Sequence, residues 1–208
     1  RFLVDVVSGQ KTGWFYDHRD NRARMQRYVA DRTVLDAFSY TGAWGIAAAT
    51  AGARQVTCLD SSAAALLRVA DNAALNGVGD RVDTCAGDVF ETLKALQVEG
   101  TRFDVILLDP PALIKRRKDL AAGTRAYQRL NQLALRLLAD DGILVTSSCS
   151  FHLPASGLQQ AVVKAARAMG QSLQLLERGH QAADHPVHPA MPETDYLKTL
   201  FVRPMPGL

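Results

Sequence analysis

Asp109, in Leu108-Asp109-Pro110-Pro111, comes directly after a short apolar run, and Cys149, in Thr146-Ser147-Ser148-Cys149-Ser150, lies just beyond another. A cysteine in such a run is ordinarily a small core residue, and Cys58 and Cys85 are read that way. Cys149 differs because it lies past its run, among hydroxyls, where its thiolate can act as a nucleophile. Asp109 is held by Pro110 and Pro111, since a proline pair cannot continue a strand ladder and fixes the chain. A turn would account for the prolines alone, but not for an acid that emerges from an apolar run. A thiolate and a carboxylate facing one substrate suit addition to an electron-poor ring. The sulfur bonds to one ring carbon, its neighbour becomes nucleophilic, and the carboxylate hydrogen-bonds the ring.

The elements that must position this pair are legible in the same pattern. Short β-branched runs at residues 33–38, 55–60, 82–86, 103–109 and 143–148 alternate with helical patterns, the sign of parallel βαβ units. Helical spacing links Leu66, Val69, Ala70 and Ala73, then Leu130, Leu133, Ala134, Leu137 and Leu138, then Leu158, Ala161, Val162, Ala165 and Met169. These stripes are core packing. Runs at 172–176 and 196–202 extend the sheet. The expected fold is a doubly wound, Rossmann-like α/β domain over residues 31–208, a mostly parallel seven-stranded sheet with helices on both faces, preceded by an N-terminal segment (1–30) packed on it. In such sheets ligands sit beyond the carboxyl ends of the strands, where Asp60, Asp88, Asp109 and Cys149 fall.

The first turn, Asp36-Ala37-Phe38-Ser39-Tyr40-Thr41-Gly42-Ala43-Trp44-Gly45, has two glycines and lacks the three of a dinucleotide fingerprint. A ligand without phosphates, such as S-adenosylmethionine, suits it better. Asp60, with Ser61 beside it, ends the second run where an acid binds a ribose diol; its other reading is a helix cap, a role Ser61 and Ser62 already offer. Asp88, with Val89 after it and Glu91 three residues on, reads equally as a capping box or as a contact to an adenine amine.

A methyl donor beside a thiol points to carbon-5 of cytosine, which is too electron-poor to take a methyl group until a thiolate has added at carbon-6. Asp109 would hydrogen-bond N3 or the exocyclic amine. The base must be single-stranded or flipped out of its stack.

At these residues the sequence resembles the class I ribosomal RNA large-subunit cytosine-5 methyltransferases that carry a PUA domain ahead of the catalytic domain. The resemblance runs from Gly9-Gln10-Lys11-Thr12-Gly13-Trp14-Phe15-Tyr16-Asp17-His18-Arg19-Asp20, through Phe38 to Gly42, Asp109-Pro110-Pro111 and Ser148-Cys149-Ser150, to Gln181-Ala182-Ala183-Asp184-His185-Pro186 and Tyr196-Leu197-Lys198. It implies that Phe38 to Gly42 (Phe38, Ser39, Tyr40, Thr41, Gly42), Asp60, Asp88 and Asp109 surround S-adenosylmethionine, and that the entry segment folds over its methionine end, with Lys11, Thr12 and Arg19 the candidates there. It further implies that Cys149 is the nucleophile and that Asp184, His185 and Lys198 line a base pocket with Pro110 and Pro111. An amphipathic lead-in and a structural turn at His185 are the plainer readings of the two outer segments. Related enzymes carry a second cysteine where this chain has Ala112, so the base that removes the carbon-5 proton is not identified. The chain starts at Arg1 as if a strand were taken up in mid-course, and an upstream PUA domain is expected.

The 208 residues, 48% of them apolar, suffice for one domain. Net charge is only +3, but Lys115, Arg116, Arg117, Lys118, Arg125 and Arg129 cluster against Asp119 alone, and Arg19, Arg22, Arg24 and Arg27 form a looser group. The basic cluster is either a solvated loop and helix face or a surface for ribosomal RNA phosphates. Three widely spaced cysteines give neither a disulfide framework nor a metal site, and without an export leader or an apolar run of about 20 residues a cytoplasmic location is expected, away from membranes. Oligomeric state, a homodimer included, is open. Three rivals remain. A base N-methyltransferase would share the fold but normally places an aromatic residue where Ala112 and Leu113 stand. A nicotinamide dehydrogenase would want the third glycine. A non-enzymatic RNA-binding module would not need Asp109 and Cys149 together.

Overall fold

The computed structural model describes residues 1–7, 9 and 13–207; Lys11 and Thr12 lie outside the described residues. Seven strands, β1 (Thr33–Ala37), β2 (Gln55–Asp60), β3 (Val82–Ala86), β4 (Phe103–Leu108), β5 (Leu138–Ser148), β6 (Gln171–Gly179) and β7 (Lys198–Pro206), form one sheet. Their order is β3-β2-β1-β4-β5-β7-β6. The first five pair in parallel, and β7 runs antiparallel between β5 and β6. The helices are α1 (Arg19–Met25), α2 (Ala43–Thr50), α3 (Ala63–Leu75), α4 (Val89–Val98), α5 (Leu120–Leu137) and α6 (Ala155–Arg167).

Successive strand residues face opposite sides, and the core divides accordingly. Leu35, Ala37, Ile106, Leu108, Leu144 and Leu200 pack with Leu93 of α4, Tyr127 and Leu130 of α5 and Leu158 and Val162 of α6. Val34, Val56, Val105, Leu107, Ile143, Val145 and Phe201 pack with Met25 of α1, Trp44 and Ile46 of α2 and Val69 of α3. This is the doubly wound α/β fold that the alternating pattern predicts. No helix among the described residues is long and apolar enough to cross a membrane.

Several boundaries differ from the sequence reading. Residues 1–7 form no strand. They are tied down by α3 instead: Asn72 Oδ1 accepts from the Leu3 N–H, and the Asn72 amide donates at 3.2 Å to the Leu3 carbonyl. Phe38 and Asp109 stand just outside their strands, and the last strand starts at Lys198 rather than 196 and continues through Pro204 and Pro206. Only the donors of those prolines are lost to the ladder, and Pro206 still pairs opposite Gln171 on β6.

The same parity sets up the site. β4 and β5 pair with Leu107 opposite Val145 and Leu108 opposite Thr146. Continuing the alternation, Asp109 and, one pleat further along the neighbouring strand, Cys149 fall on the face covered by α2.

Candidate active site

The turn after β1 is held in an unusual shape. Phe38 and Tyr40 both adopt left-handed backbone angles, with φ of 65° and 48°, and Gly42 has φ of 83° at the N-cap of α2. For residues with a Cβ this costs about 1–2 kcal/mol each and persists only where neighbours enforce it. The Ser39 N–H donates to the Leu59 carbonyl at 3.1 Å, and Asp60 Oδ2 accepts from the Tyr40 N–H at 2.9 Å. Asp60 Oδ1 accepts from the Ser62 N–H, while the α3 cap itself is the Ser62 hydroxyl, which accepts from Ala65. Asp60 is therefore the brace between two turns and leaves capping to Ser62. Beneath the turn, Gly45 is required by contact: a Cβ there would lie 2.5 Å from the Cys58 sulfur and 3.1 Å from an Asp36 carboxylate oxygen. Buried Asp36 accepts from the Gly45 N–H at 2.8 Å. Burial pushes its carboxyl up to about 7, against that hydrogen bond and with the charges of Asp109 and Asp60 adding to the rise.

A single pocket gathers the strand tips and the leading segment. Its walls are Trp14, Phe15, Asp17, His18 and Arg22; Phe38, Ser39, Tyr40 and Thr41; Ala43 and Trp44; Asp60 and Ser61; Asp109, Pro110 and Pro111; and Cys149 with Leu197. Asp109 and Cys149 thus share one cavity. Asp109 is clamped, with Oδ1 3.0 Å from His18 Nε2 and Oδ2 accepting from the Trp44 indole N–H at 3.1 Å. Burial works to raise its pKa, but His18 and the two hydrogen bonds outweigh it, and the carboxyl sits below the usual carboxylate range. Asn21 fixes the His18 ring: its amide nitrogen donates to the His180 carbonyl at 3.0 Å and lies 3.2 Å from His18 Nδ1, so Nδ1 is the acceptor and Nε2 carries the proton given to Asp109.

The thiol is mounted on hydroxyls. Ser148 Oγ donates to the fully buried Tyr127 hydroxyl at 2.9 Å, which lies 3.0 Å from Ser150 Oγ, and Ser150 Oγ accepts from the Ile114 N–H at 3.1 Å. That last bond ties the loop after Asp109 to the turn after Cys149. On the other face of β5, Ser147 Oγ and Thr199 Oγ1 are 2.9 Å apart. Cys58 is buried in the core and Cys85 packs against it, whereas Cys149 is half-exposed on the pocket wall.

The strand-tip residues Phe38, Ser39, Tyr40, Asp60, Ser61, Asp109, Pro110, Pro111 and Cys149 therefore come together. Gly42 lies beneath them as the α2 cap. Asp88 and Val89 are not on the wall: Asp88 caps α4 by accepting from the Glu91 N–H, Glu91 turns to Lys94, and Val89 is core. Arg19 points to Asp20 and Asp184, at 3.4 and 3.7 Å. Asp184 lies 3.4 Å from His185 Nδ1, and the His185 N–H closes a turn on the Ala182 carbonyl. Lys198 is buried behind the pocket. Lys115, Arg116, Arg117 and Lys118 are exposed, with Arg116 paired to Asp119 at 3.0 Å. Thr41 of the Phe38 to Gly42 turn is on the wall as well, while sequence reasoning singled out neither Arg22 nor Trp44 nor, within the entry segment, Trp14, Phe15, Asp17 and His18. Arg22 is only 8% exposed, donates to the Phe15 carbonyl at 3.0 Å and stacks 5.1 Å over Trp14. Burial lowers its pKa against the pull of Asp109, Asp17, Asp36 and Asp184.

A family model described as S-adenosylmethionine-dependent methyltransferase matches residues 1–203. The chain belongs to this family. Its curated relatives include a "Ribosomal RNA large subunit methyltransferase I" from Shewanella denitrificans, 44% identical over 204 residues that make up 98% of this chain and 51% of the relative. A protein of the same name from Klebsiella pneumoniae is 40% identical over 99% of this chain and 52% of its own length. The chain spans about half the length of these curated relatives. Among solved structures, SMU.776, a methyltransferase complexed with SAH, aligns with a TM-score of 0.82 and 25% identity over 92% of this chain and 50% of that one. Trm5b from Pyrococcus abyssi aligns with a TM-score of 0.71 over 98% of this chain and 53% of its own, and at 16% identity that likeness is one of fold.

S-adenosylmethionine dependence fits the pocket's chemistry. The hydroxyls of Ser39 and Thr41 are buried on its wall with no hydrogen-bond partner among the described residues, donors and acceptors left over for a ligand.

Proposed function

We propose that this methyltransferase domain modifies carbon-5 of a cytosine in large-subunit ribosomal RNA, with Cys149 as covalent nucleophile. The observation that carries this reading is the shared pocket of Cys149 and Asp109. Naming of the curated relatives as ribosomal RNA large subunit methyltransferases supports the RNA class.

S-adenosylmethionine, when bound, supplies an electrophilic methyl group. Asp60 has carboxylate lone pairs for a ribose diol, the Ser39 and Thr41 hydroxyls remain for polar groups of the cofactor, and Arg22 is the guanidinium for a carboxylate at its methionine end. Trp14, Phe15 and Tyr40 exclude water around them. The Cys149 thiolate adds to carbon-6 of the flipped base, and the electron pair displaced from the 5,6 double bond makes carbon-5 nucleophilic. Once carbon-5 is methylated, loss of its proton restores the double bond and expels the thiolate. Asp109, kept ionised by His18 and Trp44, is an acceptor only. It matches the exocyclic amine of cytosine and repels the carbonyl oxygen that uracil carries there. Exposed Lys115, Arg117 and Lys118 would meet RNA phosphates.

The test is Cys149→Ala, incubated with ribosomal RNA and labelled cofactor, with nucleoside analysis of the product. The wild type should yield 5-methylcytidine, and the variant should lose turnover by at least about a thousand-fold. Full activity in the variant, or a purine N-methyl product, hands the site to a base N-methyltransferase.

A further inference from the structure

Lys198 is the strongest feature that the proposed chemistry leaves unused. It opens β7 directly opposite Ser148 in the β5 register, so it stands beside the residue that precedes Cys149. Its side chain is buried, with the residue 7% exposed, and its Nζ donates to the Ser150 carbonyl at 2.7 Å and to the Tyr196 carbonyl at 2.8 Å. An ammonium has three N–H donors and is costly to bury without a charge to face. Neither carbonyl supplies that charge, and no carboxylate makes a salt bridge to Nζ among the described residues. We infer that Lys198 is a positioning residue whose ammonium, anchored on the carbonyls of Ser150 and Tyr196 behind the pocket wall, holds Cys149 as a thiolate aimed at the substrate.

This rests on the reading of Cys149 as nucleophile. Around the pair, α5 contributes Tyr127 and the segment before β7 contributes Tyr196; burial raises the pKa of both, and the Cys149 charge adds to the rise, so they stay neutral. The pocket also carries Asp17, His18, Arg22, Asp109 and Asp60. Asp184 also faces Tyr196, and Asp195 faces Lys198. Lys198 is thus the cation behind the wall that carries the sulfur, while Arg22, on the pocket wall itself, is shared among four acids. Burial pushes the lysine down to about 8, with Cys149 and Asp195 pulling the other way, so at neutral pH it remains mostly charged. On ionisation the thiol proton leaves through the open pocket to water, and Lys198 keeps its own.

The experiment is the pH dependence of Cys149 alkylation by iodoacetamide, read at the Cys149 peptide by mass spectrometry so that Cys58 and Cys85 do not contribute. In the wild type the midpoint should fall below the ordinary thiol value of about 8.5. Lys198→Met should raise the midpoint by about one unit and slow alkylation at pH 7 roughly ten-fold, and Lys198→Arg should recover part of the loss. Methyl transfer by Lys198→Met should lose kcat with little change in KM for RNA. A wild-type midpoint at or above about 8.5 overturns the inference without any variant, as do superimposable profiles for the wild type and a folded Lys198→Met. Because alkylation needs neither RNA nor cofactor, it is independent of the Cys149→Ala assay: an active Cys149→Ala would sink the proposed reaction whatever the alkylation profile shows.

Discussion

The carboxyl ends of β1 and β4 each carry a buried or half-buried aspartate on the face covered by α2, yet the two acids are pushed in opposite directions. Asp36 pairs opposite Leu107, and Asp109 lies one pleat beyond on that same strand. Asp36 is given one backbone donor, and burial takes its carboxyl up to about 7. Asp109 is given His18 and the Trp44 indole, and stays below the usual range although burial works to raise it too. The number and kind of donors decide which acid ionises, and the ionised one then raises its neighbour further. One acid is pushed toward its protonated form beneath the turn after β1, and the other stays a charged acceptor on the pocket wall.

The hardest blow to this contrast is Asp109→Asn. An asparagine must turn its amide toward either His18 Nε2 or Trp44 Nε1, both donors, so about 1–3 kcal/mol of stability should be lost along with methyl transfer on the order of a thousand-fold. Unfolding and single-turnover assays at neutral pH that match the wild type would break the comparison. Asp36→Asn should act the other way. Because the folded pKa of Asp36 is raised, the stability it contributes is present at acid pH and lost as pH climbs from about 4 to about 7. Asparagine keeps the acceptor for Gly45 and removes the titration. Between pH 5 and pH 8 the variant should therefore gain about 2–3 kcal/mol relative to the wild type in denaturant unfolding, and parallel curves would refute a raised Asp36 pKa. The finest test is Trp44→Phe, which removes one of Asp109's donors. It should cost about 1 kcal/mol and move the acid limb of the methylation profile to higher pH by less than about one unit.

The half of the site that obeys strand periodicity was legible in the sequence. The alternation of apolar runs placed the sheet, and the rule that ligands lie beyond strand ends picked out Asp60, Asp109 and Cys149. The other half was not, for a physical reason. Asp17, His18 and Arg22 belong to a short helical turn with no apolar stripe, and they are buried only because distant residues come to meet them. Tyr196 donates to Asp17 at 2.8 Å across 179 positions, and Asn21, which fixes His18, is held by the His180 carbonyl across 159. No local pattern announces such burial. Arg19, one position from His18, has the same helical surroundings and faces solvent and Asp184 instead. Asp88 shows the complementary ambiguity. Its spacing to Glu91 fitted two roles equally, and the backbone N–H of Glu91 at 3.1 Å fulfils the capping one.

The placement of β7 between β5 and β6 gives the domain an assembly order. A ribosome releases the chain from its amino end, and β1 to β5 can pair as they emerge, which is enough to raise the turn over Asp60 and the aspartate at the tip of β4. The backing of Cys149 arrives later: Lys198 comes 48 positions after Ser150, and Thr199 comes 52 after Ser147. A chain halted before β7 would lack the Lys198 and Thr199 side chains that brace residues 147–150, and the Thr199 hydroxyl that meets Asn21. The braces of the β5 tip thus come from the last strand of the sheet to be synthesised.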